Sequence, residues 1–149
     1  MAESHLTVPG RYDRLEQITE FVAQAARRAG LGDRAVFHCQ VAVDEACTNI
    51  ILHAYGGEGR GDIELTCQAD PGELTIILED RGETFDPESI QAPDLSVPME
   101  DLSEGGLGVH LMRQLMDQVD FQASRNRNRL IMVKRDSANA NHHIRGGRE

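Results

Sequence analysis

Apolar and polar positions change their period several times along this chain, and each change marks an element. Residues 4–9 alternate, with Leu6 and Val8 on one side, and Pro9-Gly10 stops that strand. From Tyr12 the apolar residues Leu15, Ile18, Phe21, Val22, Ala25 and Ala29 step by threes and fours, the period of an amphipathic helix. Gly30 and Gly32 bracket its end. Asp33 then suits the N-cap of a second long helix, expected to run to about Tyr55, where Gly56, Gly57, Gly59 and Gly61 break it. Two alternating runs follow, over 62–69 and 73–79. Asp70-Pro71-Gly72 joins them, so they read as an antiparallel hairpin. Residues 83–104 hold three prolines, many acids and little periodicity, and are expected to form a flexible loop or lid. Residues 105–116 read as a helix opened by glycines. Residues 119–123 and 130–133 read as two closing strands around an Arg/Asn-rich turn. Residues 136–149 are polar and aperiodic, the composition of a tail without fixed structure.

That order places helices among strands joined mostly by hairpins. It predicts a two-layer α/β sandwich: a mixed, mostly antiparallel sheet with helices on one face, not a doubly wound parallel sheet. A length of 149 residues fits one domain, taken here as 1–135.

Composition narrows the picture. Hydrophobic residues make up 40% and aromatic ones only 4%, so aliphatic side chains must do most of the packing. No apolar run approaches the ~18 residues needed to span a bilayer. Met1-Ala2-Glu3-Ser4-His5 has neither the basic flank nor the apolar stretch of a secretion signal, so a cytoplasmic protein is expected, with no membrane partner. The net charge of −10 argues against direct contact with nucleic acid, which calls for clustered Lys and Arg. It is compatible with a basic protein partner and equally with a surface that only keeps the chain soluble. Cys39, Cys47 and Cys67 are odd in number and lack C-x-x-C spacing, so they read as buried reduced thiols.

Three segments carry candidate chemistry. On the second helix Glu45, Asn49 and His53 stand at i, i+4 and i+8, one polar stripe beside an apolar arc. An amide oxygen suits a hard cation such as magnesium, and a carboxylate one turn earlier can deprotonate a hydroxyl. The spacing alone fits a solvated stripe just as well. Next, the apolar run Ile76-Ile77-Leu78 ends in Glu79-Asp80-Arg81-Gly82. A carboxylate there can accept from an exocyclic amine, and a glycine allows close approach, although Asp and Gly are also common at plain strand exits. Third, Gly105-Gly106-Leu107-Gly108 opens a helix, whose backbone N–H groups suit phosphates. No G-x-x-x-x-G-K-[ST] stretch is present, so this is not a Walker P-loop.

Taken in order, Glu45-x-x-x-Asn49, Asp80-x-Gly82 and Gly106-x-Gly108 resemble the N, G1 and G2 boxes of the GHKL ATPase superfamily, whose fold is the Bergerat type. The longer stretches narrow the resemblance: Asp44-Glu45-Ala46-Cys47-Thr48-Asn49-Ile50-Ile51-Leu52-His53-Ala54-Tyr55, and Asp80-Arg81-Gly82-Glu83-Thr84-Phe85-Asp86-Pro87. With Gly105-Gly106-Leu107-Gly108-Val109-His110-Leu111 they are similar to the anti-sigma-factor serine/threonine-protein kinases of bacterial partner switching, over residues 6 to 135.

The resemblance implies ATP and magnesium as ligands. It makes Glu45 the general base toward a serine or threonine hydroxyl, and Asn49 the magnesium ligand. Asp80 takes the adenine amino group, with Gly82 making room for the base. Gly105, Gly106, Leu107 and Gly108 line the phosphate side, and 88–104 form the ATP lid. The implied partners are a sigma factor and a STAS-type anti-anti-sigma antagonist, and a homodimer is implied on the same ground alone. Glu83 and Thr84 depart from the small or proline residues that the family often has after the G1 glycine, and Glu100, Asp101 and Glu104 make the lid acidic. The alternative is a module of the same fold that regulates a partner by binding ATP without transferring phosphate. A sensor histidine kinase is disfavoured, because no helical hairpin bearing a phosphoacceptor histidine precedes the boxes.

Overall fold

A computed structural model describes residues 1–83 and 104–136 of the chain. Strand β1 (Ala2–Pro9) leads through a 3-10 turn into α1 (Leu15–Arg28) and α2 (Asp33–Asn49), which continues as a π-helical turn over Ile50–Ala54. The hairpin β2 (Asp62–Asp70) and β3 (Glu73–Asp80) follows, then α3 (Glu104–Leu115), β4 (Gln118–Ser124) and β5 (Arg127–Arg135). The strands form one five-stranded sheet in the order β1-β2-β3-β5-β4.

Every pairing among the described strands is antiparallel, so the sheet is not mixed as the sequence reading allowed. Two of these pairings are hairpins, β1 and β2 are joined through α1 and α2, and β5 turns back from β4 to lie between β4 and β3, so the parallel strands β3 and β4 do not pair. The expected lid, apart from Glu104 at the start of α3, lies outside the described residues. So does the expected tail from 137 on. Asp136 does not behave as tail. Its N–H donates to the Gly72 carbonyl at 3.0 Å, and its carboxylate accepts from the Gly32 N–H at the start of α2 at 2.8 Å.

The register explains which face is buried. Val8 lies opposite Ile63, Leu65 opposite Leu78 and Ile76 opposite Met132, so one face of the sheet is apolar across four strands. The helices cover that face: α1 packs against β1, β2 and β3, α2 lies between α1 and α3 and touches β5, and α3 rests on β4. Ile18, Ile51, Ile63, Leu65, Leu74, Ile76, Leu78, Met112 and Met132 are fully buried. Truncating one such side chain to alanine costs ~2–5 kcal/mol. The aromatic-poor composition is met by small residues. Ala23, Ala26, Ala42 and Ala46 are all buried, which lets backbones approach closely. Gly30 closes α1 at φ 80°, a conformation open to glycine, and the Leu31 N–H returns to the Ala26 carbonyl.

The three cysteines are buried free thiols. Burial pushes Cys39 and Cys67 up to about 12, and Cys47 is raised by the same cause, so the thiolates that would react are not formed near neutral pH. Among the described residues no helix is long and apolar enough to cross a membrane.

Candidate functional site

The site is assembled from the end of α2, the end of β3 and the opening of α3. On α2, Glu45 is half-buried and Asn49 is buried, with 8% of its surface exposed. The Asn49 Nδ2 is buried without a hydrogen-bond partner. An unpaired buried amide costs ~1–3 kcal/mol unless something binds to it.

After Asn49 the winding changes. Tyr55 N–H donates to the carbonyl of Ile50, five residues back, so each turn takes up an extra residue. The α-helix therefore stops at Asn49 instead of reaching Tyr55, and the expected stripe loses its third member. His53 rotates out and is exposed, while Ile51 and Ala54 stay buried.

Asp80 ends β3 with 5% of its surface exposed. Its Oδ1 accepts from the Gly82 N–H and from Asn128 Nδ2, each at 2.9 Å. Burial raises the Asp80 pKa above the ordinary carboxylate value, and those two hydrogen bonds pull the other way. Asn128 sits opposite Asp80 in the β3–β5 register. The same Nδ2 also donates to the Glu83 carbonyl at 2.8 Å and reaches the Gly82 carbonyl at 3.3 Å.

Gly82 also has a packing reason of its own. A Cβ there would stand 2.4 Å from the Ala54 carbonyl oxygen and 2.7 Å from the Ala54 Cβ. Its missing side chain lets the strand exit lie against the π turn, where the Glu83 N–H donates to the Ala54 carbonyl at 2.8 Å. The close approach it permits is thus between two stretches of backbone.

Asn49 and Asp80 line one pocket, together with Ala46, Ile50, Ala54, Met112, Phe121, Asn128 and Leu130. It holds about 440 Å³ with its mouth included. An apolar floor with a few convergent polar groups is the common form of a small-molecule site. Glu45 does not line it. Glu45 and Asn49 instead meet α3 at Gly108, where a Cβ would stand 3.0 Å from Glu45 Oε2 and 3.4 Å from Asn49 Nδ2. Gly105, Gly106 and Leu107 lie in the first turn of α3, whose backbone N–H groups lack partners further back in the helix. The structure therefore gathers all three segments singled out in the sequence.

Two contributors had no role implied by the sequence, although Tyr55 closes the first stretch of the resemblance. Asn128 sits in the Arg/Asn-rich hairpin and meets Asp80 only through strand register. Tyr55 ends the π turn, and its hydroxyl donates to the Asp62 carbonyl at 2.5 Å while accepting from the Arg81 N–H at 3.0 Å.

Residues 8–134 match the family described as histidine kinase-like ATPase domain. The serine-protein kinase RsbW of Halalkalibacterium halodurans is 36% identical over 121 residues, which cover 78% of this chain and 74% of that protein. The RsbW serine-protein kinase of Bacillus velezensis is 32% identical over 124 residues, 80% of this chain and 77% of its own. The solved structure of the RsbU and RsbW domains of a Mycobacterium tuberculosis protein superposes on 91% of this chain and 32% of that one. Its TM-score is 0.64 at 13% identity, a likeness of fold.

Proposed function

For a chain that belongs to the histidine kinase-like ATPase family, and within it to the RsbW-type serine-protein kinases, we propose the following activity. It binds ATP with magnesium and phosphorylates a serine or threonine of a STAS-type anti-anti-sigma antagonist. Its second partner is a sigma factor, held or released in a cytoplasmic partner-switching circuit that controls transcription. The observation that carries this reading is the convergence of Asn49 and Asp80 on one pocket, with the Asn49 amide buried and unpaired.

The residues fit the ligands. Asp80 accepts the exocyclic amine of adenine, with Asn128 occupying Oδ1 and leaving Oδ2 for the base. Asn49 suits magnesium, because the oxygen and nitrogen of a terminal amide exchange places by a simple flip, so an oxygen can stand at the unpaired position. Among the described residues no cluster of three His, Cys, Asp or Glu side chains could hold a metal ion. The Asn49 amide and the phosphates would hold the ion, with water filling the rest of its shell, since magnesium gives up water reluctantly. When bound, the ion offsets charge on the phosphates. The first turn of α3, with Gly105, Gly106, Leu107 and Gly108, offers backbone N–H groups to the same phosphates. Glu45, beside Asn49, takes the proton of the attacking hydroxyl, and a nearby cation keeps such a carboxylate ionised.

The test pairs two measurements on Glu45→Ala. Magnesium-ATP affinity by calorimetry stays within a few-fold of the unmodified chain. Single-turnover transfer to the antagonist falls by ~10²–10⁴. Collapse of ATP binding would make Glu45 a ligand or a structural residue. An unmodified chain that binds ATP yet phosphorylates no antagonist would leave a module that regulates by binding alone.

A further inference from the structure

We propose that the Tyr55 hydroxyl is a wedge in the β2–β3 ladder that sets the position of Asp80 for recognition of the base, an inference that rests on the nucleotide reading above. The ladder pairs Leu65 with Leu78 and then Glu64 with Glu79, and there it stops. Continued in register, Ile63 would face Asp80 and Asp62 would face Arg81. Neither pair forms. Where a direct bond from the Arg81 N–H to the Asp62 carbonyl would close the ladder, the phenol oxygen stands between the two groups. It accepts from Arg81 at 3.0 Å and donates to Asp62 at 2.5 Å. The two strands are therefore held two hydrogen bonds apart in place of one, at the step where Asp80 leaves β2 and turns to Asn128 on β5.

The wedge is fixed on every side. Its ring fills the space over Gly61, where a Cβ would stand 2.3 Å from the ring carbon Cε1, and the Gly10 N–H holds the Gly61 carbonyl at 2.8 Å. Its backbone closes the π turn through the bond to Ile50, so the wedge is built onto the end of the helix that carries Asn49. Gly82 and Glu83 are fastened to the neighbouring residue Ala54. The spacing between Asn49 and Asp80 is thus measured by one turn of π-helix and one phenol. A hydroxyl that donates and accepts at once must keep its proton. Burial raises the Tyr55 pKa; the bond from the Arg81 N–H opposes this, and the charges of Asp80, Asp62 and Glu64 add to the rise. Tyr55 is a positioning residue: it acts through Arg81 and Asp80.

Tyr55→Phe keeps the ring over Gly61 and deletes only the wedge. In the ligand-free full chain, amide exchange at Arg81 speeds up by roughly tenfold or more, because its acceptor is gone. ATP affinity falls by about tenfold, GTP affinity changes less, and the preference for ATP over GTP shrinks. A purely structural hydroxyl would lower the melting temperature and leave that preference unchanged, which overturns the proposal. Unchanged exchange at Arg81 overturns it as well. The unmodified chain provides a reading that needs no variant: a Tyr55 hydroxyl proton slow enough to observe by NMR, with a cross-relaxation peak to the Arg81 amide. Absence of that signal counts against the wedge. If the unmodified chain binds neither nucleotide, the nucleotide reading fails and the recognition role falls with it. The exchange data then still show whether the hydroxyl holds Arg81.

Discussion

At one end of the pocket Asp80 is buried with two hydrogen bonds on Oδ1, and Arg81, Gly82 and Glu83 are each tied to a neighbour. At the other end Asn49 is buried to a similar degree and its Nδ2 has no partner. Both ends were assembled from residues distant in the chain, yet only the first is complete. A completed end holds its acceptor in place before a ligand arrives, so little ordering is left to do on binding. An incomplete end carries a polar group whose desolvation is unmet, a penalty of ~1–3 kcal/mol that a cation or phosphate can relieve. The contrast matches the chemistry proposed for each end. A base is recognised by shape and fixed hydrogen bonds, whereas phosphates and metal bring their own charge.

The sharpest way to break the contrast is Asn128→Ala. It removes one of the two donors to Asp80 Oδ1 and the tether to the Glu83 carbonyl. The expected loss is ~1–3 kcal/mol in unfolding free energy by denaturant titration, with a reduced ATP-over-GTP preference. The sign of the pH effect follows. The Asn128 bond lowers an Asp80 pKa that burial has raised. Without that bond the pKa climbs further, so protonation sets in at higher pH and ATP affinity fails earlier as the medium is acidified. An unchanged pH profile would show that Asn128 does not govern Asp80.

Gly108→Ala tests the other end. The new Cβ would stand 3.0 Å from Glu45 Oε2, tight enough to force the carboxylate aside. Because a side chain can give way, the stability cost is expected near ~1 kcal/mol, the low end of overpacking. Magnesium-ATP binding weakens by several-fold while the preference for adenine over guanine is kept. Loss of both together would mean that the two ends are one unit.

The smallest effect concerns the support of α3. Lys134 Nζ donates to the Leu115 carbonyl at the end of α3 and to His38 Nδ1 at 3.0 Å, so that nitrogen must accept and the imidazole is neutral. Burial first, then the charges of Lys134 and Arg34, lower the His38 pKa. The folded chain then holds fewer protons at His38 than the unfolded chain, whose histidine titrates near ~6.5. The stabilisation is present above that value and is lost as pH falls through and below it. Between pH 7.5 and 5.5 the unmodified chain should lose about 1–3 °C of melting temperature more than His38→Gln does. Equal losses would detach His38 from the support of α3.

What the sequence determined by itself is local. Periods of two and of three to four residues mark the five strands and three α-helices of the described residues, because alternation and helical winding are written within a few neighbouring positions. The same locality made the boxes legible: Glu45 and Asn49 share a helix, Asp80 and Gly82 a strand exit, and Gly105 to Gly108 one helical turn. The tertiary structure decided the rest. The π turn that removes His53 from the stripe lies where Ala54 meets the β3 exit at Gly82 and Glu83, and nothing in the residues 50–54 announces it. The insertion of β5 between β3 and β4 brings Asn128 onto Asp80, and a register one residue away would turn it to the opposite face. Gly82 reads the same in sequence whether it clears space for a ligand or for Ala54, and Tyr55 gives no sign that its hydroxyl will stand between Asp62 and Arg81. Such contacts depend on side chains that meet across long stretches of chain, and their partners are chosen only when packing sets the register.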